Sequence, residues 1–188
     1  MASDFQRRKI GGVFRAMDVN QDGFLDESDF RALTERWTGM RGLATDSPDH
    51  AQLGAIMMGW WETLVAASDA DRDNQVTLDE VLAVVDQLGE LPEAVTGTAS
   101  AMFEAIDENA DGEISAAEYR QLIEAWNGCE TDTDEIFPLL DLNGDGHISK
   151  DEFAELWFDF WVADDPNSPG AWVFGRFDPP VPSGSATG

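Results

Sequence analysis

Asp141-Leu142-Asn143-Gly144-Asp145-Gly146-His147-Ile148-Ser149-Lys150-Asp151-Glu152 is the stretch that decides the fold. Oxygen-bearing side chains stand at its positions 1, 3, 5, 9 and 12, and Gly146 stands at position 6. A hard divalent cation such as Ca2+ takes about six to eight oxygens at roughly 2.3–2.6 Å, and a segment this short supplies them only by wrapping sharply. The wrap needs a residue that accepts positive φ at position 6, which glycine does without a Cβ clash. Position 7 turns its backbone carbonyl inward, so His147 serves whatever its side chain does. Glu152 is long enough to offer both carboxylate oxygens. The candidate ligands here are therefore Asp141, Asn143, Asp145, His147 and Glu152.

Three further stretches follow the same rule. In 107–118 the ligand positions are Asp107, Asn109, Asp111, the Glu113 carbonyl and Glu118, again with glycine (Gly112) at position 6. In 18–29 they are Asp18, Asn20, Asp22, the Phe24 carbonyl, Asp26 and Asp29, so that aspartate replaces the closing glutamate. In 69–80 they are Asp69, Asp71, Asp73, the Gln75 carbonyl and Glu80, but Asn74 stands where glycine is usual. This is the EF-hand calcium loop, a specific pattern because each position has a mechanical role. Position 8 is Leu25, Val76, Ile114 and Ile148, aliphatics suited to a short strand that pairs two loops back to back. The repeating unit is thus a whole helix–loop–helix, and the fold class is all-α: four such units in two pairs, packed into one globule.

Composition sets limits around this reading. With 188 residues and 43% hydrophobic content the chain can bury a substantial core. Its 38 acidic residues against 11 basic ones give a formal charge of −27. Nucleic acid and anionic membrane surfaces repel such a chain, so neither is expected as a partner. Four Ca2+ ions would offset less than a third of the excess, and the rest is a solvated surface. A lone Cys129 excludes an internal disulfide framework and suits a reducing interior. No apolar run reaches spanning length, no secretory leader opens the chain, and Ala2 in place of glycine excludes the myristoyl signal. A cytoplasmic monomer is expected, and the sequence points to no particular protein partner.

Ser3 and Gln6 form a capping box for a first helix with apolar Phe5, Ile10, Val13, Phe14 and Met17. Phe30, Leu33 and Trp37 continue after the first loop until Gly39–Gly42 breaks the run. Ser47-Pro48-Asp49 starts a long helix carrying Leu53, Met57, Trp60 and Trp61 to the second loop. Residues 78–88 leave that loop, and Glu90-Leu91-Pro92-Glu93 is a short hinge. Helices lead into and out of the third loop, ending at Asn127-Gly128. An entering helix over about 133–140 contains Pro138, which should bend its last turn. The final helix carries Phe153, Leu156, Trp157, Phe160 and Trp161. The expected division is an N-terminal pair over 1–90, a C-terminal pair over 91–163, a tail over 164–178 folded onto the core, and a disordered end at 179–188.

Loop starts at 18, 69, 107 and 141 leave a stretched first interval, and a Trp- and Phe-bearing tail follows the fourth hand. In these features the chain resembles the sarcoplasmic calcium-binding proteins, in particular the calerythrin-like proteins of bacteria. That resemblance implies a compact globule with hands paired first to second and third to fourth. Seven Trp and eleven Phe in helical spacing agree, because aromatics bury best in one core.

Loops three and four are expected to bind Ca2+. Loop one, closed by the shorter Asp29, should bind it more weakly or suit Mg2+. Loop two should bind with modest strain at Asn74. The expected role is a calcium buffer or transporter that compacts on binding metal. The alternative is a sensor that opens an apolar groove for a protein partner, for which the six scattered Met residues are a poor lining. A photoprotein-like enzyme shares the scaffold, but its implied His, Trp and Tyr cavity is poorly matched by His50, His147 and a single Tyr119. No catalytic constellation is read, and an enzyme is not expected.

Overall fold

The computed structural model describes residues 3–88 and 92–175, with only the backbone of 92–94. Of the expected hinge Glu90-Leu91-Pro92-Glu93, the first two residues lie outside the described residues, as does the end at 179–188, while Pro92 and Glu93 are already helical.

Helix α1 (Asp4–Met17) starts at the Ser3–Gln6 capping box, which is formed reciprocally, and buries Phe5, Ile10, Val13, Phe14 and Met17. Helix α2 (Glu27–Met40) is N-capped by Asp26 within the first loop and ends at Arg41, followed by left-handed Gly42. Helix α3 (Pro48–Ser68) is the longest at 21 residues. Ser47 caps it by accepting the His50 N–H, and Pro48 occupies the first turn, where no intrahelical donor is needed. Helices α4 (Leu78–Leu88) and α5 (Pro92–Ile106) lead from the second loop to the third. Helix α6 (Ala116–Asn127) ends at Gly128 with φ +71°, and α8 (Lys150–Val162) leaves the fourth loop.

The helix expected over 133–140 is shorter than its apolar spacing suggests. Residues 134–136 form a turn, and α7 spans only Phe137–Leu140. Pro138 falls in its first turn, where the missing N–H costs no hydrogen bond, so proline opens this helix rather than bending it.

Loops pair as their position-8 residues require. Leu25 and Val76 exchange both backbone hydrogen bonds at 2.9 Å. Strands β1 (Glu113–Ile114) and β2 (Ile148–Ser149) pair antiparallel with Ile114 opposite Ile148. All four aliphatic side chains are buried. One core then runs through both pairs. Trp60 of α3 lies 5.6 Å from Phe30 of α2, 5.7 Å from Trp126 of α6 and 5.8 Å from Trp157 of α8. A 3-10 turn (Pro169–Trp172) lies on α8, and Phe174 beyond it sits 4.9 Å from Phe160 and 5.3 Å from Trp157. The last residues of the tail expected to fold onto the core, 176–178, are outside the described residues.

Candidate metal centres

Each loop is wound by hydrogen bonds from its own backbone to its own acidic side chains. In loop one, Asp18 accepts the N–H of Asp22 and Gly23, Asn20 accepts that of Asp22, and Asp22 accepts that of Phe24. In loop three, Asp107 accepts Asp111 and Gly112, Asn109 accepts Asp111, and Asp111 accepts Glu113. Loop four repeats the ladder with Asp141, Asn143 and Asp145, the last accepting the His147 N–H. In loop two, Asp69 accepts Arg72, Asp73 and Asn74, and Asp73 accepts Gln75. One carboxylate oxygen from each of Asp69, Asp71 and Asp73 lies within 4.8 Å of the others, a gathering that fits a small hard cation.

The closing residue also does the same thing in every loop. Glu80 bridges the N–H groups of Ala70 and Thr77, Glu118 those of Glu108 and Ser115, and Glu152 those of Asn143 and Ser149. Asp29, one methylene shorter, reaches the equivalent donors on Val19 and Asp26, both at 3.0 Å. Asp26 caps α2 by accepting the N–H and hydroxyl of Ser28. Both ends of each loop are thus drawn together by the residue at position 12.

The charges within the loops show in their proton affinities. Desolvation pushes the Asp71 carboxyl up, and repulsion from Asp73, Glu80 and Asp69 adds to it. Hydrogen bonds from Thr77 and Ala70 hold Glu80 below the ordinary carboxylate range. Burial raises Asp29 despite the N–H groups that it accepts.

Position 6 has positive φ in all four loops: Gly23 +89°, Asn74 +61°, Gly112 +87° and Gly146 +89°. Position 4 is left-handed as well, at Gln21 (+61°), Arg72 (+64°), Ala110 (+58°) and Gly144 (+75°). Arg72 takes this conformation with a Cβ present, which strains the backbone of loop two at a second place beside Asn74. Glycine at 144 is the one sequence signal for this second requirement.

Three of the four loops fall within matches to known families. A model for an EF-hand domain pair matches residues 98–158, spanning loops three and four, and an EF-hand model matches residues 10–34 around loop one. Loop two lies outside both. The chain has the EF-hand fold and is similar to the sarcoplasmic calcium-binding proteins. The EF-hand chain is 34% identical over 120 residues to the sarcoplasmic calcium-binding protein alpha-B and -A chains of Penaeus sp., covering 60% of this chain and 62% of that protein. It spans about three fifths of the length of the Penaeus relatives that it matches. Among solved structures it is similar to a sarcoplasmic calcium-binding protein from amphioxus, with TM-score 0.71 and 20% identity over 94% of this chain and 99% of that one. A Streptomyces coelicolor calcium-binding protein, described in terms of prokaryotic calcium-mediated regulation, aligns with TM-score 0.68 and 22% identity over 85% of this chain and 99% of that one. These last two likenesses are of fold.

Residues outside the loop motifs join the helices of different hands. Lys9 and Gln6 of α1 donate to Ala163 and Val162 at the end of α8. Arg36 and Arg41 of α2 donate to backbone carbonyls ending α6 and α5. The available signal is scarcity, since a chain with 11 basic residues against 38 acidic ones keeps some of the few inside, where helix C-termini attract them.

Proposed function

We propose that this protein is a calcium buffer that takes up ions in its four loops while its apolar interior stays closed. The ligands in loop one are Asp18, Asn20, Asp22, the Phe24 carbonyl, Asp26 and Asp29. In loop two they are Asp69, Asp71, Asp73, the Gln75 carbonyl and Glu80. Loop three uses Asp107, Asn109, Asp111, the Glu113 carbonyl and Glu118, and loop four Asp141, Asn143, Asp145, the His147 carbonyl and Glu152. Carboxylate, amide and carbonyl oxygens are a hard donor set, suited to Ca2+ and Mg2+ over softer metals. The short Asp29 gives loop one the tighter shell that Mg2+ prefers. The protein acts as a cytoplasmic monomer of calerythrin-like type, with an N-terminal pair (1–90), a C-terminal pair (91–163) and a covering tail (164–178), and it catalyses no reaction.

The observation that carries the buffer reading is the covered core. Met17, Met57 and Met102, which a sensor would present in a groove, are buried, and Phe174 of the tail lies against Trp157 and Phe160. Among the described residues the large exposed apolar side chains are Phe24, Met40, Leu139 and Leu142, which come from loop one, the end of α2 and the region of loop four. The test is binding of a fluorescent apolar dye on calcium addition. Unchanged or falling dye fluorescence supports the buffer. A large rise gives the role to the alternative, a sensor with an apolar groove for a protein partner.

A further inference from the structure

We propose that Arg41, at the C-terminal end of α2, is a positioning residue for the third metal site and couples that site to the first. The inference rests on the reading that loops one and three bind calcium. The Arg41 side chain is almost wholly buried. Its Nη2 donates to Ala105 O at 2.8 Å and Ile106 O at 3.3 Å, the last two carbonyls of α5. Those carbonyls lack intrahelical donors and carry the negative end of the helix. The next residue along the chain is Asp107, the first ligand of loop three.

The guanidinium is held there from three sides. Its Nε donates to Gln121 Oε1 of α6 at 2.6 Å, its plane lies 5.0 Å from the Trp37 ring, and Glu108 Oε2 is 3.5 Å away. Trp37 Nε1 donates to the same Gln121 oxygen at 3.2 Å, and Gln121 Nε2 donates to Glu108 Oε2 at 3.3 Å. Glu108 is position 2 of loop three, and its N–H donates to the closing Glu118. The network therefore grips the residues on both sides of Asp107 and reaches the residue that closes the loop.

Helix α2 links this network to loop one. Asp29, the last ligand of loop one, lies in the first turn of α2, and Arg41 is its C-cap. A packed helix moves as a rigid rod, so a rotation of α2 as loop one closes on its ion is delivered to the end of α5. Arg36, one turn and a half earlier on α2, donates to Ala125 O at 2.9 Å and Trp126 O at 3.2 Å at the end of α6. Alone, the Arg41 charge opposes cation binding nearby. The carbonyl fork and the pinned Glu108 act the other way, by fixing the loop before the ion arrives.

Site-resolved calcium titration of the isotope-labelled full chain tests this, using backbone amide resonances. The N–H groups of Gly23, Gly112 and Gly146 each donate to the first Asp of their own loop and report sites one, three and four. Arg41→Lys keeps the charge but loses the fork, and Arg41→Met loses both. Both variants should move the Gly112 midpoint to about threefold to tenfold higher calcium. Arg36→Lys, which loosens a cap away from Asp107, should leave it within about twofold. Asp18→Ala, which disables site one, should shift the Gly112 midpoint several-fold in the parent chain and no further in the Arg41→Met background.

Tighter binding in Arg41→Met with parent-like binding in Arg41→Lys would mean that only charge matters, and would overturn the proposal. An equal shift in Arg36→Lys would reduce it to general loosening and overturn it too. A Gly112 midpoint indifferent to Asp18→Ala, while Gly23 responds to calcium in the parent, would overturn the coupling. A Gly23 that never responds would instead refute calcium binding in loop one, and the coupling with it.

Discussion

At the residue scale, the loops demand left-handed backbone twice, and only one demand is legible. Position 6 announces itself through Gly23, Gly112 and Gly146, whereas position 4 is held left-handed by Gln21, Arg72 and Ala110. Those three side chains carry strain without a compositional mark. Ala110→Gly should therefore stabilise the protein by about 0.5–1 kcal/mol, and Asn74→Gly by less, because asparagine tolerates that region better. Urea unfolding in chelator measures both. The backbone already has the required φ at both sites, so the gain belongs to stability rather than to affinity. Asp29→Glu should raise calcium affinity at site one and weaken Mg2+ competition there, read at the Gly23 amide. Its extra methylene enters a buried position, with a stability cost of about 1–3 kcal/mol.

At the element scale, caps and apolar spacing lay out the helices, and the structure departs from them where tertiary contacts decide. The Ser3–Gln6 box, the Ser47-Pro48 start and the Gly128 stop are all visible as local chemistry. The shortened α7 is not, because proline fits a first turn as readily as it bends a later one. The tail's docking depends on one close approach: a Cβ at Gly170 would sit 2.6 Å from both Asp159 Cβ and Leu156 O of α8. Gly170→Ala should cost about 1–3 kcal/mol and release the Pro169–Trp172 turn, seen as a changed near-ultraviolet Trp signal. Lys9 joins α1 to α8 through Ala163 O at 2.8 Å and lies over the Phe5 and Phe160 rings. Burial brings its ammonium down to about 8 from 10.5, although Asp159 and Asp164 pull the other way. Between those values the unfolded chain holds a proton that the folded chain has lost, so this group makes stability rise with pH above about 8. Buried Tyr119, held above its ordinary 10.0 by desolvation, reverses the slope beyond that point. Unfolding midpoints at pH 7.5, 8.5 and 9.5 should increase in the parent and stay flatter in Lys9→Met.

At the scale of the whole molecule, the apolar load of seven Trp and eleven Phe foretells a shared core, but not its pairings. Which indole meets which is decided by how the helices pack, and Trp60 becomes the centre because its ring reaches Phe30 of α2, Trp126 of α6 and Trp157 of α8. The acidic loops stand on this core with their carboxylates crowded, and an ion bound only to the folded chain stabilises it by mass action. At about a hundredfold excess over the dissociation constant that is roughly 2.7 kcal/mol for each site, so chelation should lower the melting temperature steeply and loosen the Trp environment. Calorimetric titration of the purified chain with Ca2+, with and without Mg2+, tests the central claim most directly. Four equivalents are expected, one of them displaced or weakened by Mg2+. Two or fewer would contradict loops one and two as calcium sites, and no uptake at micromolar calcium would contradict the account as a whole.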